Sequence, residues 1–206
     1  DGERVNGYGG YYYDGRWKGV VKKLQEIYGI DGNSAALDIG CAKGFLLYDM
    51  QDMLPGIKVA GIDISSYAVN KTMDGYGKYL INHGIKINES DAKDLEAKAK
   101  NKIIPSMIIR SAEKLPWPDK SFDVVLNINT LHNLHEQQCI ECIREMTRVC
   151  RNPEKIYIQV DSYRNEEERN RMEMWALTAN TIKSNQGWLE FFKEYGFKGD
   201  YFWTIV

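Results

Sequence analysis

The sequence predicts an α/β fold in which parallel strands alternate with helices. Three observations carry that prediction. Short apolar runs alternate with longer runs of helical period, the pattern of successive βαβ units. The first clear strand, "AALDI", runs straight into a turn framed by two glycines, "GCAKG". The 206 residues, 43% of them hydrophobic, are one domain's worth of chain with enough apolar material for a core. A single domain over residues 1–206 is therefore expected.

The elements follow in order. An aromatic, glycine-rich leader, "YGGYYYDGRW", opens the chain. A helix, "WKGVVKKLQEIYG", comes next, with Val20, Val21, Leu24 and Ile27 along one face and Gly29 as its stop. Residues 1–30 thus form a leader and helix, a candidate lid. After the strand Ala35–Ile39, a helix runs through "FLLYDMQDML" to Pro55-Gly56, and "KVAGIDI" is the second strand. Ser65 or Ser66 caps a helix over "YAVNKTMDGYGKYLI". Residues 84–106 are polar with good helix formers, either a surface helix or an excursion. "SMIIR" and "FDVVLNI" are the third and fourth strands, joined by the proline loop "LPWPDKS". A helix from Glu136 to Arg151 buries Ile140, Ile143, Met146 and Val149, and "KIYIQVD" is the fifth strand. "EEERNRMEMWALTANTI" is a helix whose first-turn acids suit the helix dipole, its start a solvated face. "GWLEFFKEYG" is a shorter helix, and "FKGDYFWTIV" supplies the last strand.

The formal net charge of -2 argues against a broad electrostatic grip on nucleic acid. No apolar run reaches the length of a membrane span, and no secretory signal is read at the start. The four cysteines, Cys41, Cys139, Cys142 and Cys150, fit a reduced, cytoplasmic setting, since three of them crowd one helical stretch where mutual disulfides are awkward. "HNLHEQQCIEC" offers His132, His135, Cys139 and Cys142 as metal ligands. The thiols alternate with apolar residues on a helix meant to pack on the sheet, so small buried cysteines are the expectation and no metal is assigned.

In an open parallel sheet, ligands bind beyond the carboxyl ends of the strands. The turn after strand one lies there. Gly40 can take a backbone conformation closed to other residues, and Gly44 allows close approach. Asp38 ends an apolar strand, where a buried carboxylate needs a partner. Asp63, at the end of strand two, can accept both hydroxyls of a ribose; its plainer role is a helix cap beside Ser65. Turn and acid together suit nicotinamide and S-adenosylmethionine (SAM) enzymes alike.

Further along, "SAEKLPWPDKSFDVVLNINTLHNL" resembles the downstream signature of class I SAM-dependent methyltransferases. With "LDIGCAKG" and "GIDIS", the resemblance covers about Ala35 to Cys150. It implies a doubly wound, mostly parallel seven-stranded sheet, SAM as cofactor and methyl transfer as reaction. It also implies roles. The turn Gly40, Cys41, Ala42 and Gly44 would pass under the methionine part, with Asp38 directing its amino group. Asp63 would hold the ribose and Ile64 would pack on the adenine. Ala112 would offer a backbone N–H to that ring, and Ser111 or Glu113 would read its amine. Asn127 would line the methionine end. Two departures stand out. Ala42 replaces a frequent glycine, which is tolerable at negative φ. The stretch between Asp63 and Ser111 is long, with its excess near residues 75–106, a candidate lid or oligomer contact. "SDAKDL" in that stretch imitates the adenine-reading loop, but "SAEKLP" is preferred because "FDVV" follows it.

The methyl of SAM is already activated, so the enzyme mainly aligns the reacting atoms and excludes water. A hydroxyl acceptor gains from a general base. His132, His135 and Asp161 are the candidates, with His132 and Asp161 preferred; the plainer roles are packing at the strand end for His132, the start of the next helix for His135 and a turn with Ser162 for Asp161. Arg16 would pair with the SAM carboxylate, and Tyr12 or Tyr13 would face the sulfonium; packing of the leader on the first helix is the alternative. The late aromatics are expected mostly in the core. The whole chain looks like small bacterial methyltransferases of carbohydrate pathways. A small polar acceptor, a sugar or nucleotide-sugar hydroxyl, is the expectation, with a monomer or homodimer and no nucleic-acid or membrane partner. The competing readings are a nicotinamide oxidoreductase, a SAM-binding scaffold without catalysis, and chemistry other than methylation on the same fold.

Overall fold

The computed structural model describes residues 12–206. Tyr8 to Tyr11 of the aromatic leader lie outside the described residues. The chain divides into two compact units, residues 12–110 and residues 111–206.

The first unit carries three parallel strands. β1 (Ala35–Ile39) pairs with β2 (Lys58–Asp63), which pairs with β3 (Met107–Ile109). Every residue of β1 is buried, as expected of a strand covered on both faces. α1 (Trp17–Tyr28) ends at Gly29, whose left-handed φ of 65° lets its N–H reach the Gln25 carbonyl. Its inward face is Val21, Leu24 and Tyr28; the expected Ile27 is 62% exposed. Val21, Leu24 and Tyr28 are spaced i, i+3 and i+7, which places them on one helical face and leaves Ile27 off it. α2 (Phe45–Met53) is buried over its first six residues and packs on α1 and β2.

The helix expected over 67–81 is two. α3 (Ser66–Asn70) is capped by the Ser65 hydroxyl, and α4 (Tyr76–Asn82) starts after a left-handed Gly75. Met73, at φ 57°, breaks the run, and its N–H bonds the Lys43 carbonyl. Residues 89–103 form α5 (Glu89–Ile103), capped by Asn88, with acids in its first turn and lysines in its last. α5 buries Ala92, Ala99 and Ile103 and packs on α4 and α2. "SDAKDL" therefore lies within a helix, whereas "SAEKLP" directly follows β3 and Arg110.

The second unit is built on β5 (Ile156–Tyr163), which pairs in parallel with β4 (Val124–Ile128), β6 (Lys183–Ser184) and β7 (Asp200–Thr204). α6 (Glu136–Val149) buries the four expected apolar residues together with Cys139 and Cys142. α7 (Glu166–Trp175) stops seven residues short of Ile182, because residues 176–182 turn back to hydrogen-bond the loop after β4. Its start is not wholly solvated: Glu168 is buried and accepts the Arg164 N–H. α8 (Asn185–Glu194), capped by Ser184, buries Trp188, Phe191 and Phe192. Among the described residues the strands number seven, the pairings within each unit are parallel, and the fold class is the doubly wound α/β sheet. No helix among the described residues is long and apolar enough to cross a membrane.

Candidate functional site

In the first unit, the glycine turn joins β1 to α2. Gly40 and Cys41 both donate their N–H to the Ile62 carbonyl, which ties the turn to the end of β2. Gly44 has φ 75°, and a Cβ there would lie 2.8 Å from Ile103 Cγ2 and Met107 Sδ. Only glycine fits that spot. Ala42 does not hold the negative φ expected of it. Its φ is 47°, and its N–H donates to Asp63 Oδ2 at 2.8 Å. The carboxylate thus locks a left-handed alanine in place. Asp63 Oδ1 accepts the Ser65 N–H at 2.8 Å, so the acid closes the start of α3 as well. The plainer reading of Asp63, a cap beside Ser65, is what the hydrogen bonds show; each carboxylate oxygen keeps a lone pair for a further donor. Ile64, next in the chain, is 76% exposed.

Asp38 is buried below the turn. Burial, with the Asp63 charge as a smaller cause, pushes its carboxyl up to about 7. Cys41 is buried and its thiol is raised, so it is a packing residue rather than a nucleophile. Lys43 is 3% exposed and pairs with Asp74 at 3.3 Å.

Of the two readings of the leader, Tyr13 takes the packed one, against α2 and α4 rather than the first helix. Tyr13 is buried, with Phe45, Tyr48, Tyr76 and Tyr79 packed edge-on around its ring, and its hydroxyl donates to Asp49 Oδ1. This packing removes Tyr13 from a sulfonium-facing role. Tyr12 is exposed. The Arg16 guanidinium forms a two-pronged pair with Asp14, which any bound carboxylate would have to displace.

In the second unit, Ser111 donates its hydroxyl to Glu113 Oε2, and Ala112 is buried between them. Glu113 thus carries the acid of this loop while Ser111 orients it. Asn127 is held from two sides. It is fully buried, its Oδ1 accepts the Leu131 N–H at 2.8 Å and its Nδ2 points to Cys142 Sγ at 3.6 Å. Its side chain braces the loop after β4. Asn129 in that loop is left-handed, φ 54°, a conformation its short polar side chain tolerates.

His132 and Asp161 come together. The Asp161 N–H donates to His132 Nδ1 at 3.0 Å, and His132 Nε2 lies 3.4 Å from Asp161 Oδ2. Burial lowers the imidazole to about 4 and raises the carboxyl to about 6. His135 caps α6, its N–H donating to Gln138 Oε1. Sequence reasoning missed residues 178–181, which clamp this region. The N–H groups of Asn180 and Thr181 both donate to the His132 carbonyl, and the Thr181 hydroxyl donates to the Leu134 carbonyl. Nothing in "TANT" signals that clamp except its wealth of short hydrogen-bonding side chains. Among the described residues, no group of three or more His, Cys, Asp or Glu is placed to hold a metal.

Residues 30–196 match the model of a family described as a methyltransferase domain. The chain belongs to that methyltransferase family. It is a SAM-dependent methyltransferase of class I type. Solved structures agree on the fold. A Bacillus halodurans protein taken to be a methyltransferase is 16% identical over 85% of this chain and 68% of its own, with a TM-score of 0.57. The complex between the Haloferax volcanii Trm112 methyltransferase activator and the protein taken to be its methyltransferase gives 18%, 89% and 72%, with a TM-score of 0.55. The [4+2]-cyclase SpnF gives 20%, 94% and 64%, with a TM-score of 0.55. No curated protein matches the chain.

Proposed function

We propose that this methyltransferase binds SAM at the turn Gly40–Gly44 and methylates a hydroxyl of a small polar metabolite, a sugar or nucleotide sugar. The observation that carries the cofactor assignment is the Asp63 carboxylate, which closes the Ala42 turn and is followed by the exposed Ile64. A carboxylate beside an exposed apolar side chain suits a ribose joined to an adenine ring. The donor set fits the rest of the cofactor. SAM carries an ammonium and a sulfonium, and Asp38 is a buried carboxyl short of a cation. The family supplies methyl transfer from the sulfonium. Within the first unit, Asp63 would hold the ribose, Ile64 would pack on the adenine and Asp38 would meet the ammonium; in the second unit, the resemblance assigns Ala112 and Glu113 to reading an adenine ring. Tyr12 and Arg16 are assigned to the methionine end, with Arg16 exchanging Asp14 for the cofactor carboxylate. His132 and Asp161 serve the acceptor.

Thermal shift tests the cofactor. SAM and S-adenosylhomocysteine raise the unfolding midpoint and NAD(P) does not. Asp63→Asn, which keeps one acceptor oxygen, weakens SAM binding by about tenfold, the loss of roughly one charge-assisted hydrogen bond. Unchanged affinity would remove Asp63 from the ribose site.

A second reading is kept open by one neighbour. The cyclase SpnF shares the fold, so the fold alone does not fix the reaction. Release of S-adenosylhomocysteine with a methylated product, in a screen of sugars and nucleotide sugars, separates transfer from other chemistry.

A further inference from the structure

We infer that Asp161 alone takes the proton from the acceptor hydroxyl, while His132 and Trp188 hold that carboxylate in place and His132 never acts as the base. The inference rests on the methyl-transfer reading above and divides the roles within it.

The hydrogen bonds fix the imidazole. His132 Nδ1 accepts the Asp161 N–H, so it carries no proton in that arrangement. The proton of the neutral ring is then on Nε2, and Nε2 lies 3.4 Å from Asp161 Oδ2. With Nδ1 occupied by a backbone donor and Nε2 already protonated, the ring has no nitrogen left to receive a substrate proton. The ring's surroundings also oppose charging, since His132 is 3% exposed.

Asp161 is gripped from both ends of its backbone. Its N–H goes to His132, and its carbonyl accepts the indole N–H of the fully buried Trp188 at 3.1 Å. The residue is 2% exposed, yet Oδ1 is buried with no hydrogen-bond partner. A buried carboxylate oxygen left bare is costly to a folded protein. A catalytic role is one of the reasons for which a folded protein keeps such an atom. A hydroxyl donor of the acceptor would supply the missing bond. In the step itself, the acceptor O–H bond breaks and its proton goes to Asp161 Oδ1. SAM, when bound, would supply the methyl group: its bond to sulfur would break as the bond to the acceptor oxygen forms, with the electron pair returning to sulfur. The bare oxygen calls for an acceptor with a proton to lose, which a hydroxyl has and a carboxylate lacks.

The test has three arms on the full chain. Nitrogen NMR of the histidine side chains reads the tautomer; His132 is one of three histidines. The expected result is protonation on Nε2 and a neutral ring from pH 5 to 8. A proton on Nδ1, or a charged ring at pH 7, overturns the inference. The second arm is thermal unfolding of Asp161→Asn. Removing a buried, incompletely bonded charge raises the midpoint if the carboxylate serves function at the expense of stability. A lowered midpoint makes Asp161 structural and overturns the assignment. The third arm is methyl transfer from SAM to methyl α-D-glucopyranoside and UDP-N-acetylglucosamine. Asp161→Asn loses about 100-fold or more. His132→Gln loses no more than about tenfold and keeps the acid limb of the pH profile near pH 6, where Asp161 titrates. His132→Gln as inactive as Asp161→Asn, or without that limb, makes His132 the base. If SAM fails to bind, or neither probe is methylated, the function reading fails on its own; the tautomer and the midpoint shift still decide this one.

Discussion

Ala42 shows what a single residue can hide. The sequence reading places it at negative φ, where a methyl group is harmless, and the structure has it at 47°. An L-residue in the left-handed region costs about 1–2 kcal/mol, and here the Asp63 carboxylate offsets that cost through the Ala42 N–H. Ala42→Gly is therefore expected to stabilise the protein by about 1 kcal/mol, the relief of the Cβ clash less the added freedom of the unfolded glycine. For a chain of this size that is a rise of about 2–4 °C in the unfolding midpoint. A fall in the midpoint would show that the left-handed alanine is not strained. Asp63 was legible from its place at the end of strand two, because an acid there has a recognisable chemistry. The two N–H donors it accepts were not, since backbone partners leave no mark in side-chain identity.

At the scale of elements, periodicity and caps located most of the fold. Gly29 ends α1, Ser65 caps α3, and β1 has the bounds its apolar run predicts. The break between α3 and α4 escaped detection because Met73, a good helix former, adopts φ 57°. Its reason is tertiary: its N–H bonds the Lys43 carbonyl of the glycine turn. The two-residue strand β6 is equally invisible, being too short to show alternation. The leader is the other case. "YYYDGRW" reads as a lid or as packing, and the structure makes Tyr13 a plug whose N–H bonds the Asp74 carbonyl and whose hydroxyl bonds Asp49. Asp49 Oδ2 has no partner, so the Tyr13 hydroxyl is a main support of a fully buried carboxyl. Tyr13→Phe should destabilise by about 1–3 kcal/mol, the cost of a buried acceptor losing its donor. The double variant Tyr13→Phe, Asp49→Leu should recover part of that loss in a denaturant titration. No recovery would mean that the hydroxyl, not the orphaned acid, matters. Gly75→Ala tests the same junction from the other side. Gly75 has φ 85°, and an added Cβ would meet Tyr12 Cβ at 3.1 Å, so a loss above about 1 kcal/mol is expected.

Over the whole molecule, the buried titratable groups set how stability depends on pH. Three carboxyls are raised from 3.8: Asp38 to about 7, Asp49 to about 6 and Asp161 to about 6, each chiefly by burial. A raised acid holds its proton longer in the folded chain than in the unfolded one. Its contribution is complete below pH 3.8 and is lost as pH rises through the folded value. His132 works the opposite way. Lowered from 6.5 to about 4, it contributes fully above 6.5 and its share is lost as pH falls toward 4. Asp31, Glu145 and Glu168 are lowered by hydrogen bonds and matter only at and below their ordinary values of 3.8 to 4.5. Between pH 5 and 7 the three raised acids therefore outweigh the one histidine. The urea midpoint of the cofactor-free protein should fall as pH rises across that range. Asp38 has the highest of the three values, so it governs the upper end. In Asp38→Asn the decline should level off near pH 6 instead of continuing to 7. A midpoint that rises from pH 5 to 7 in the parent protein would mean that Asp38, Asp49 and Asp161 are ionised in the fold, each with a cation or donor beside it.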